Sequence, residues 1–440
     1  MYVRTVQRRL DPHVALALGV AVALAAEWGY RKHTSDVWLL LEAAASGIAL
    51  LYAWREQSRL RLGPLLALAT ALAGGYVALH LGLHVRGDID SRGLYQRQGQ
   101  RLLDGHYPRS EYPVGAVLLF ALESWLGGGA TRAANAILMV PFHVATVAAV
   151  WATRTRWSPW LAAVVALWPL NAFYWEFKFD LVPTALLAAG LVLALRERWT
   201  LAGIALGLGA LVKWTPGLAF LALAAWLLAS RRWRAAVHHV DAFVATVALV
   251  YVPFLVWRPH EVWYAYHHQS GRRITPESAW YLLLHPLGLA RLKTHISFGA
   301  GAPHWANVLA VVVQAVAVIA LVAGAARARD LPRAVVLAAL VPVAFLLLNK
   351  IWSAQFVVPV FAALAIAGAL VLRSERQQLA AGIAACAASL GNAFVYPFAL
   401  PRYTLTWQLA SLVFFALALA LTAAAAVSAA RGRPAAPRSP

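Results

Sequence analysis

Residues 304–326 read HWANVLAVVVQAVAVIALVAGAA and contain no charged side chain. A helix needs about 20 predominantly apolar residues to cross the ~30 Å hydrocarbon core of a bilayer, so this run predicts a membrane-spanning helix. Apolar runs of similar length recur along nearly the whole chain. They are continuous, whereas the strands of a transmembrane barrel alternate apolar and polar residues. The sequence therefore predicts an all-α polytopic membrane protein.

The composition supports the same class. The chain has 440 residues, of which 61% are hydrophobic and 13% are charged, whereas soluble domains carry about 25% charged residues. The formal net charge is +20, but the basic residues stand in short clusters between apolar runs, as in cytoplasmic loops. This distribution excludes a nucleic-acid-binding stripe. The single cysteine, Cys386, lies in an apolar run and is interpreted as a small buried hydrophobe.

The apolar runs predict about fourteen membrane segments. Their predicted ranges are 13–29, 36–54, 63–83, 113–127, 133–152, 160–176, 180–196, 201–229, 240–257, 304–326, 334–348, 355–372, 379–396 and 405–429. The basic clusters place the N-terminus and the C-terminal tail on the cytoplasmic side of the membrane. The loops 84–112, 258–303, 349–354 and 397–404 then lie outside.

The middle of the chain allows two arrangements. If residues 201–229 cross the membrane once, the basic sequences RTRW (154–157) and RERW (196–199) fall outside, against the positive-inside rule. Alternatively, 201–229 form a broken hairpin whose tip KWTP faces outside, and residues 113–127 dip into the membrane without crossing it. The second arrangement would place Lys213 and Asp180 on the external side.

The external stretch GDIDSRGLYQRQGQRLLDGHYPRSEYPVG (87–115) gathers four of only 18 acidic residues: Asp88, Asp90, Asp104 and Glu111. The spacing of residues 93–103 predicts a short amphipathic helix along the membrane surface. A carboxylate at the mouth of an apolar cavity can take a proton from a hydroxyl group, and arginines beside it can bind phosphate. The residues alone predict an external cavity that handles phosphate and hydroxyl groups.

The order of this stretch, an acid, a short helix, Gly-x-Tyr-Pro and Glu-Tyr-Pro before an apolar run, resembles the first external loop of GT-C membrane glycosyltransferases. It is most similar to glycosyltransferase family 87, the polyprenyl-phosphate mannosyl- and arabinofuranosyltransferases. Asp90 stands one residue further from Tyr95 than in the family pattern, which leaves Asp88 as an alternative, and Val114 replaces a second proline. Three other stretches resemble the family: LAGIALGLGALVKWTPGLAFL (201–221), YHHQSGRRITPESAW (266–280) and LLLNKIWSAQFVVPV (346–360).

The resemblance implies a GT-C-like bundle of about 12–14 transmembrane helices, with short amphipathic helices in its external loops. It also implies an inverting transferase, which needs one base to activate the acceptor hydroxyl; Asp90 is the predicted base and Asp88 the alternative. Glu111 and Tyr112 would shape the acceptor side, and Lys213 would lie near the donor phosphate. The predicted donor- and acceptor-binding residues are Tyr95, Glu111, Tyr112, Lys213, His267, His268, Arg272, Arg273, Glu277 and Lys350. Of these, the arginines would neutralise phosphate, and a histidine would bind phosphate or transfer a proton.

The implied donor is a polyprenyl-phosphate sugar, mannose or alternatively arabinofuranose, and the implied acceptor is a glycolipid or cell-envelope glycan. No cofactor is predicted, because the sequence contains neither a dinucleotide-binding fingerprint nor a P-loop, and no metal site is indicated. A flippase or transporter of a lipid-linked saccharide is the alternative from a different class. It would carry charges inside several spans, whereas these spans look almost free of charge.

The domain prediction has three parts: an additional N-terminal transmembrane hairpin (1–62), a GT-C-like core (63–430) and a disordered cytoplasmic tail (431–440). The predicted location is a bacterial cytoplasmic membrane, with both termini cytoplasmic and the active site facing outside. The bilayer is therefore a partner of the chain, together with the donor and the acceptor; the sequence does not indicate an oligomeric state.

Overall fold

A computed structural model describes residues 10–33, 36–85, 90–128, 130–292, 299–396 and 405–431. These residues form nineteen α-helices and no β-strand. The helices are α1 Pro12–His33, α2 Asp36–Arg55, α3 Leu62–Gly82, α4 Tyr95–Leu103, α5 Val114–Gly127, α6 Thr131–Trp151, α7 Ser158–Leu167, α8 Ala172–Phe177, α9 Leu181–Leu195, α10 Trp199–Val212, α11 Thr215–Ala229, α12 Trp233–Trp257, α13 Pro259–Gly271, α14 Ala279–Leu284, α15 His304–Ala326, α16 Leu331–Leu347, α17 Val357–Val371, α18 Glu375–Val395 and α19 Leu405–Arg431. The predicted all-α polytopic membrane class is confirmed.

Nine helices among the described residues are long and apolar enough to cross a membrane. They are α1, α2, α3, α6, α12, α15, α17 with the turn before it, α18 and α19. Each coincides with one of the predicted segments. Residues 169–177 and 181–195 form a further candidate that is bent by 112°. Helices α5, α7, α10, α11 and α16 are apolar but have only 10–17 residues, fewer than the about 20 residues of a typical membrane span.

Residues 201–229 are broken, as in the hairpin arrangement. Helix α10 ends at Val212 and α11 begins at Thr215. A Cβ atom on Gly209 would lie 2.8 Å from Cγ of Pro216, and a Cβ on Gly217 would lie 3.5 Å from the Cβ of Ala210. Residues seven apart in one helix are about 10 Å apart along its axis, so the chain turns back sharply between the two helices.

The basic sequences between the helices contact one another, and these contacts contradict a single crossing of the membrane by residues 201–229. The indole N–H of Trp157 donates to the Leu372 carbonyl at 2.6 Å, which places RTRW beside the basic sequence after α17. In the same way, Arg232 lies 3.0 Å from Glu197, which places RERW beside the basic sequence before α12. A single crossing of 201–229 would put the members of each pair on opposite sides of the membrane, so that alternative is wrong.

The predicted external loops also meet on one face. The backbone N–H of Thr275 donates to the Lys350 carbonyl at 2.9 Å, which joins the long loop after α13 to the connection before α17. Glu111 lies 3.6 Å from His268, which joins α13 to the stretch between α4 and α5. These contacts bring three of the four predicted external loops together at one end of the bundle, whereas the fourth, 397–404, lies outside the described residues.

The predicted amphipathic helix is confirmed as α4, preceded by one turn of π-helix at Asp90–Leu94. It packs on the short helix α5 at a close crossing. A Cβ atom on Gly99 would lie 2.1 Å from the carbonyl oxygen of Phe120 and 2.5 Å from the hydroxyl of Ser124. Only glycine allows the two backbones to approach this closely, so Gly99 fixes α4 on the rest of the fold.

The prediction that the spans are almost free of charge is wrong. Ionisable side chains are buried within the helices, among them Glu27, Glu42, His80, Glu123 and Glu176. Ionisable groups inside a membrane are costly and are usually associated with function. The distribution of charge along the sequence therefore does not by itself separate a transferase from a transporter.

Replacement of Gly99 by alanine should loosen α4. The new Cβ would overlap the Phe120 carbonyl, and overpacking of this kind costs about 1–3 kcal/mol. We expect faster hydrogen–deuterium exchange over residues 95–103 in Gly99→Ala than in the parent protein. Gly74→Ala in α3 is the matched control, because its Cβ would meet no atom within 4 Å. Equal exchange over residues 95–103 in both variants would contradict the proposed role of this crossing.

Candidate active site

Two helix breaks lie at the end of the bundle where the predicted external loops meet. Helix α8 ends at Phe177 and α9 begins at Leu181; Pro183 lacks the N–H that a continuous helix would need at this point. Helix α10 ends at Val212, and Pro216 has the same effect at the start of α11. Lys178 and Lys213, the residues that follow α8 and α10, both have extended backbone dihedrals.

Each break places a lysine against an aspartate. The Lys178 ammonium donates to Oδ2 of Asp90 at 2.6 Å, and the Lys213 ammonium donates to Oδ1 of Asp180. The Lys178 side chain is 6% exposed and that of Asp90 is 23% exposed, so the lysine is held inside while part of the aspartate can be reached. Asp90 and Lys178 also act electrostatically on Lys213. We call these four residues the lysine–aspartate cluster.

Aromatic rings surround the Lys213 ammonium. It lies 4.2 Å from the centroid of Phe356 and 5.6 Å from that of Phe179, within the range of cation–π attraction. Phe356 follows the NKIWSAQ sequence directly, so Lys213 reaches the end of the bundle where the loops meet. This is the position that the hairpin arrangement requires.

Four rings form an aromatic wall beside the cluster. Tyr95 stacks on Phe120 at 4.3 Å, and Tyr112 contacts Phe179 edge-on at 5.3 Å. Phe179 lies between Lys178 and Asp180 in the chain, so the wall and the cluster share one segment. Tyr95 is only 1% exposed and is part of the wall's interior, whereas Tyr112 is partly exposed.

A second polar group is formed around Glu111, the residue before Tyr112 in the chain. The Glu111 carboxylate lies 3.6 Å from Nε2 of His268 and 4.0 Å from Nη1 of Arg272. The backbone carbonyl of Glu111 also accepts from the Gln269 side chain at 3.2 Å. These contacts hold helix α13 against the stretch that leads into α5. The side chains of Glu111, His268 and Arg272 all remain partly exposed.

The break at Lys213 is also joined to α13 through aromatic rings. Trp214 and Tyr266 stack almost in parallel at 5.0 Å. The hydroxyl of Tyr266 lies 2.6 Å from that of Tyr251 on α12. Burial raises the pKa of Tyr266 above its ordinary value, although the hydrogen bond with Tyr251 lowers it. Tyr266 is therefore a neutral hydroxyl at physiological pH.

The remaining predicted residues lie around these groups. Lys350 is partly buried, and this burial lowers the pKa of its ammonium. His267 and Arg273 are exposed and Glu277 is partly buried; Arg273 packs against the backbone at Gly299. Asp88 lies outside the described residues.

Lys178 was not among the residues predicted from the sequence. The signal was present, because EFKFD (176–180) places three charges within an otherwise apolar region, where charges are costly. No group of three or more His, Cys, Asp or Glu side chains within the described ranges could hold a metal ion.

One comparison with known proteins agrees with the resemblance seen in the sequence. A family model described as Glycosyltransferase family 87 matches residues 111–348, which is more than half of the chain. Comparison with curated proteins gives no match. The matched segment contains the two helix breaks, α13 and Glu111, whereas Asp90 and α1 to α4 precede it. The chain belongs to glycosyltransferase family 87 and is a membrane-embedded glycosyltransferase.

Proposed function

We propose that the protein transfers mannose from a polyprenyl-phosphate donor to a glycolipid or cell-envelope glycan, at the external face of a bacterial cytoplasmic membrane. The observation that carries this proposal is the lysine–aspartate cluster. It combines a partly exposed carboxylate with two ammonium groups next to an apolar bundle. A lipid-linked sugar phosphate presents the matching groups: a phosphate, a hydroxyl-rich sugar and an apolar chain.

The two lysines suit the donor phosphate. An ammonium group has three N–H donors, so each lysine can keep its aspartate and also donate to a phosphate oxygen. The rings of Phe179 and Phe356 keep water from part of this space, and charges attract more strongly where water is excluded. Arg272 and Arg273 are available on the neighbouring loop as further cations.

Asp90 is the proposed base. Its carboxylate would take the proton of the acceptor hydroxyl while the acceptor oxygen forms a bond to the anomeric carbon. The bond between that carbon and the phosphate oxygen breaks, and polyprenyl phosphate leaves with the electron pair. Attack opposite the leaving group inverts the anomeric centre, as in inverting glycosidases where a carboxylate activates water.

The acceptor would enter beside Tyr112, between Asp90 and the group formed by Glu111, His268 and Arg272. These side chains are partly exposed and offer both acceptors and donors for sugar hydroxyls. His267 and Glu277 on the same loop would extend this surface. No cofactor or metal ion has a step in this scheme, and the sugar could be arabinofuranose with the same residues in the same roles.

Removal of the base should abolish transfer by the purified protein in nanodiscs. With polyprenyl-phosphate mannose or arabinose and a crude glycolipid acceptor, we expect Asp90→Asn to lower the rate by about 10²–10⁴-fold. Lys178→Met should lower it by about 10²-fold, because a positioned donor to the leaving phosphate is lost. Product formation from each donor identifies the sugar.

Asp104→Asn is the matched control for this assay. Asp104 lies in the same connecting stretch but is exposed, and it accepts a hydrogen bond from Gln100; the rate should stay unchanged. Loss of transfer in Asp88→Asn but not in Asp90→Asn would assign the base to Asp88. Absence of transfer by the parent protein, with movement of lipid-linked saccharide across vesicles, would replace the transferase proposal with a flippase.

The external location has its own test. Cys386 is the only cysteine, so Cys386→Ser gives a background for single cysteines. His106→Cys and Arg329→Cys both lie at exposed positions, the first in the α4–α5 connection and the second between α15 and α16. A membrane-impermeant maleimide should label the first in intact cells and the second only after permeabilisation. The reverse pattern would place the site in the cytoplasm.

A further inference from the structure

A buried histidine joins the N-terminal hairpin to the core of the protein. His80 on α3 is fully buried. Its Nε2 lies 2.5 Å from Oε1 of Glu27 on α1, and its Nδ1 is hydrogen-bonded to Oε2 of Glu176 on α8. Both carboxylates are buried as well. Three separate helices therefore meet at one imidazole.

Two arginines close this chain of contacts. Arg31 donates to Glu27 at 2.6 Å, and Arg132 donates to Glu176 at 3.3 Å. A neutral imidazole has one donor and one acceptor nitrogen, whereas a carboxylate only accepts. Contact with a carboxylate at each nitrogen therefore requires one more proton, on the ring or on a carboxyl group. The two carboxylates, one at each ring nitrogen, fix the orientation of the ring between Glu27 and Glu176.

The same contacts hold the end of α8. Glu176 and Phe177 are its last two residues. Phe177 stacks on His80 at 5.9 Å and lies 4.8 Å from the guanidinium of Arg132, and the side chain of Asn135 donates to the Glu176 carbonyl at 2.6 Å. The next residue is Lys178, which donates to Asp90. The position of Lys178 thus depends on where Glu176 and Phe177 are held.

We propose that Glu27 and His80 are positioning residues of the transferase site. Through Glu176 they fix the end of α8 and thereby hold Lys178 against Asp90. This inference rests on the proposed function. It also assigns a role to the N-terminal hairpin, which precedes the segment matched by the family model: α1 supplies one of the two carboxylates that orient His80.

The test is a double-mutant cycle with separate kcat and KM values. His80→Gln and Glu27→Gln should each lower kcat by about 10- to 100-fold, as small misplacements near a reacting centre do. In a Lys178→Met background, neither substitution should cause a further loss, because their effect passes through Lys178. Glu56→Gln is the matched control, since Glu56 is a buried acid of the same N-terminal segment that pairs with Arg59 at 3.3 Å rather than with His80.

Hydrogen–deuterium exchange gives a readout that is independent of activity. Exchange at residues 177–181 should rise in His80→Gln and Glu27→Gln and stay unchanged in Glu56→Gln. If His80→Gln does not fold, Glu27→Gln, which keeps an oxygen for His80, carries the test alone. Unchanged kcat, or losses that multiply with that of Lys178→Met, would overturn the inference. If Asp90→Asn is inactive while the Glu27 and His80 variants keep the activity of the parent protein, the inference fails and the proposed function stands. If the parent protein itself has no transferase activity, the proposed function fails.

Discussion

The pairing of a lysine with an aspartate at each of two helix breaks is the constraint on which the candidate site depends. Both breaks occur where proline prevents a continuous helix, at Pro183 and Pro216. An unpaired ammonium or carboxylate in a poorly hydrated space is costly, whereas a hydrogen-bonded pair is tolerated. The places of Asp90 and Asp180 therefore determine where the two lysines can lie. The cluster is charge-balanced, and Asp90 remains accessible.

Phe179 connects the two ion pairs of the lysine–aspartate cluster to the packed aromatic rings. Phe179 stands between Lys178 and Asp180, and its ring contacts Tyr95, Tyr112 and Phe120. A movement of this segment would change the aromatic wall and both ion pairs together. Side chains packed at the density of a protein interior do not shift independently. The geometry of the two lysines relative to each other is thus set by close packing of apolar rings as much as by electrostatic attraction.

The sequence predicted the membrane class, the long helices and the loops that lie together at one end of the bundle, because hydropathy and the bias of basic residues act locally along the chain. The hairpin at Lys213 could be predicted only as one of two alternatives. The partners of Lys178 and His80 could not be predicted, because they are distant in the sequence. Asp90 is 88 residues from Lys178, and Glu27 and Glu176 are 53 and 96 residues from His80. Such pairings follow from three-dimensional packing. The charged residues inside the spans are present in the sequence, but their pairing with distant residues is not visible there.

The predicted N-terminal hairpin (1–62) and the predicted core (63–430) pack against each other. The indole of Trp160 on α7 donates to the Leu50 carbonyl on α2 at 2.8 Å, and Glu27 lies against His80. Removal of one partner from a buried charged contact is strongly destabilising, because the other group is left uncompensated. A core without its hairpin would keep Glu176 and His80 inside but lose the carboxylate of Glu27. Loss of the hairpin would therefore leave a buried polar group without its partner directly behind the segment that carries Lys178.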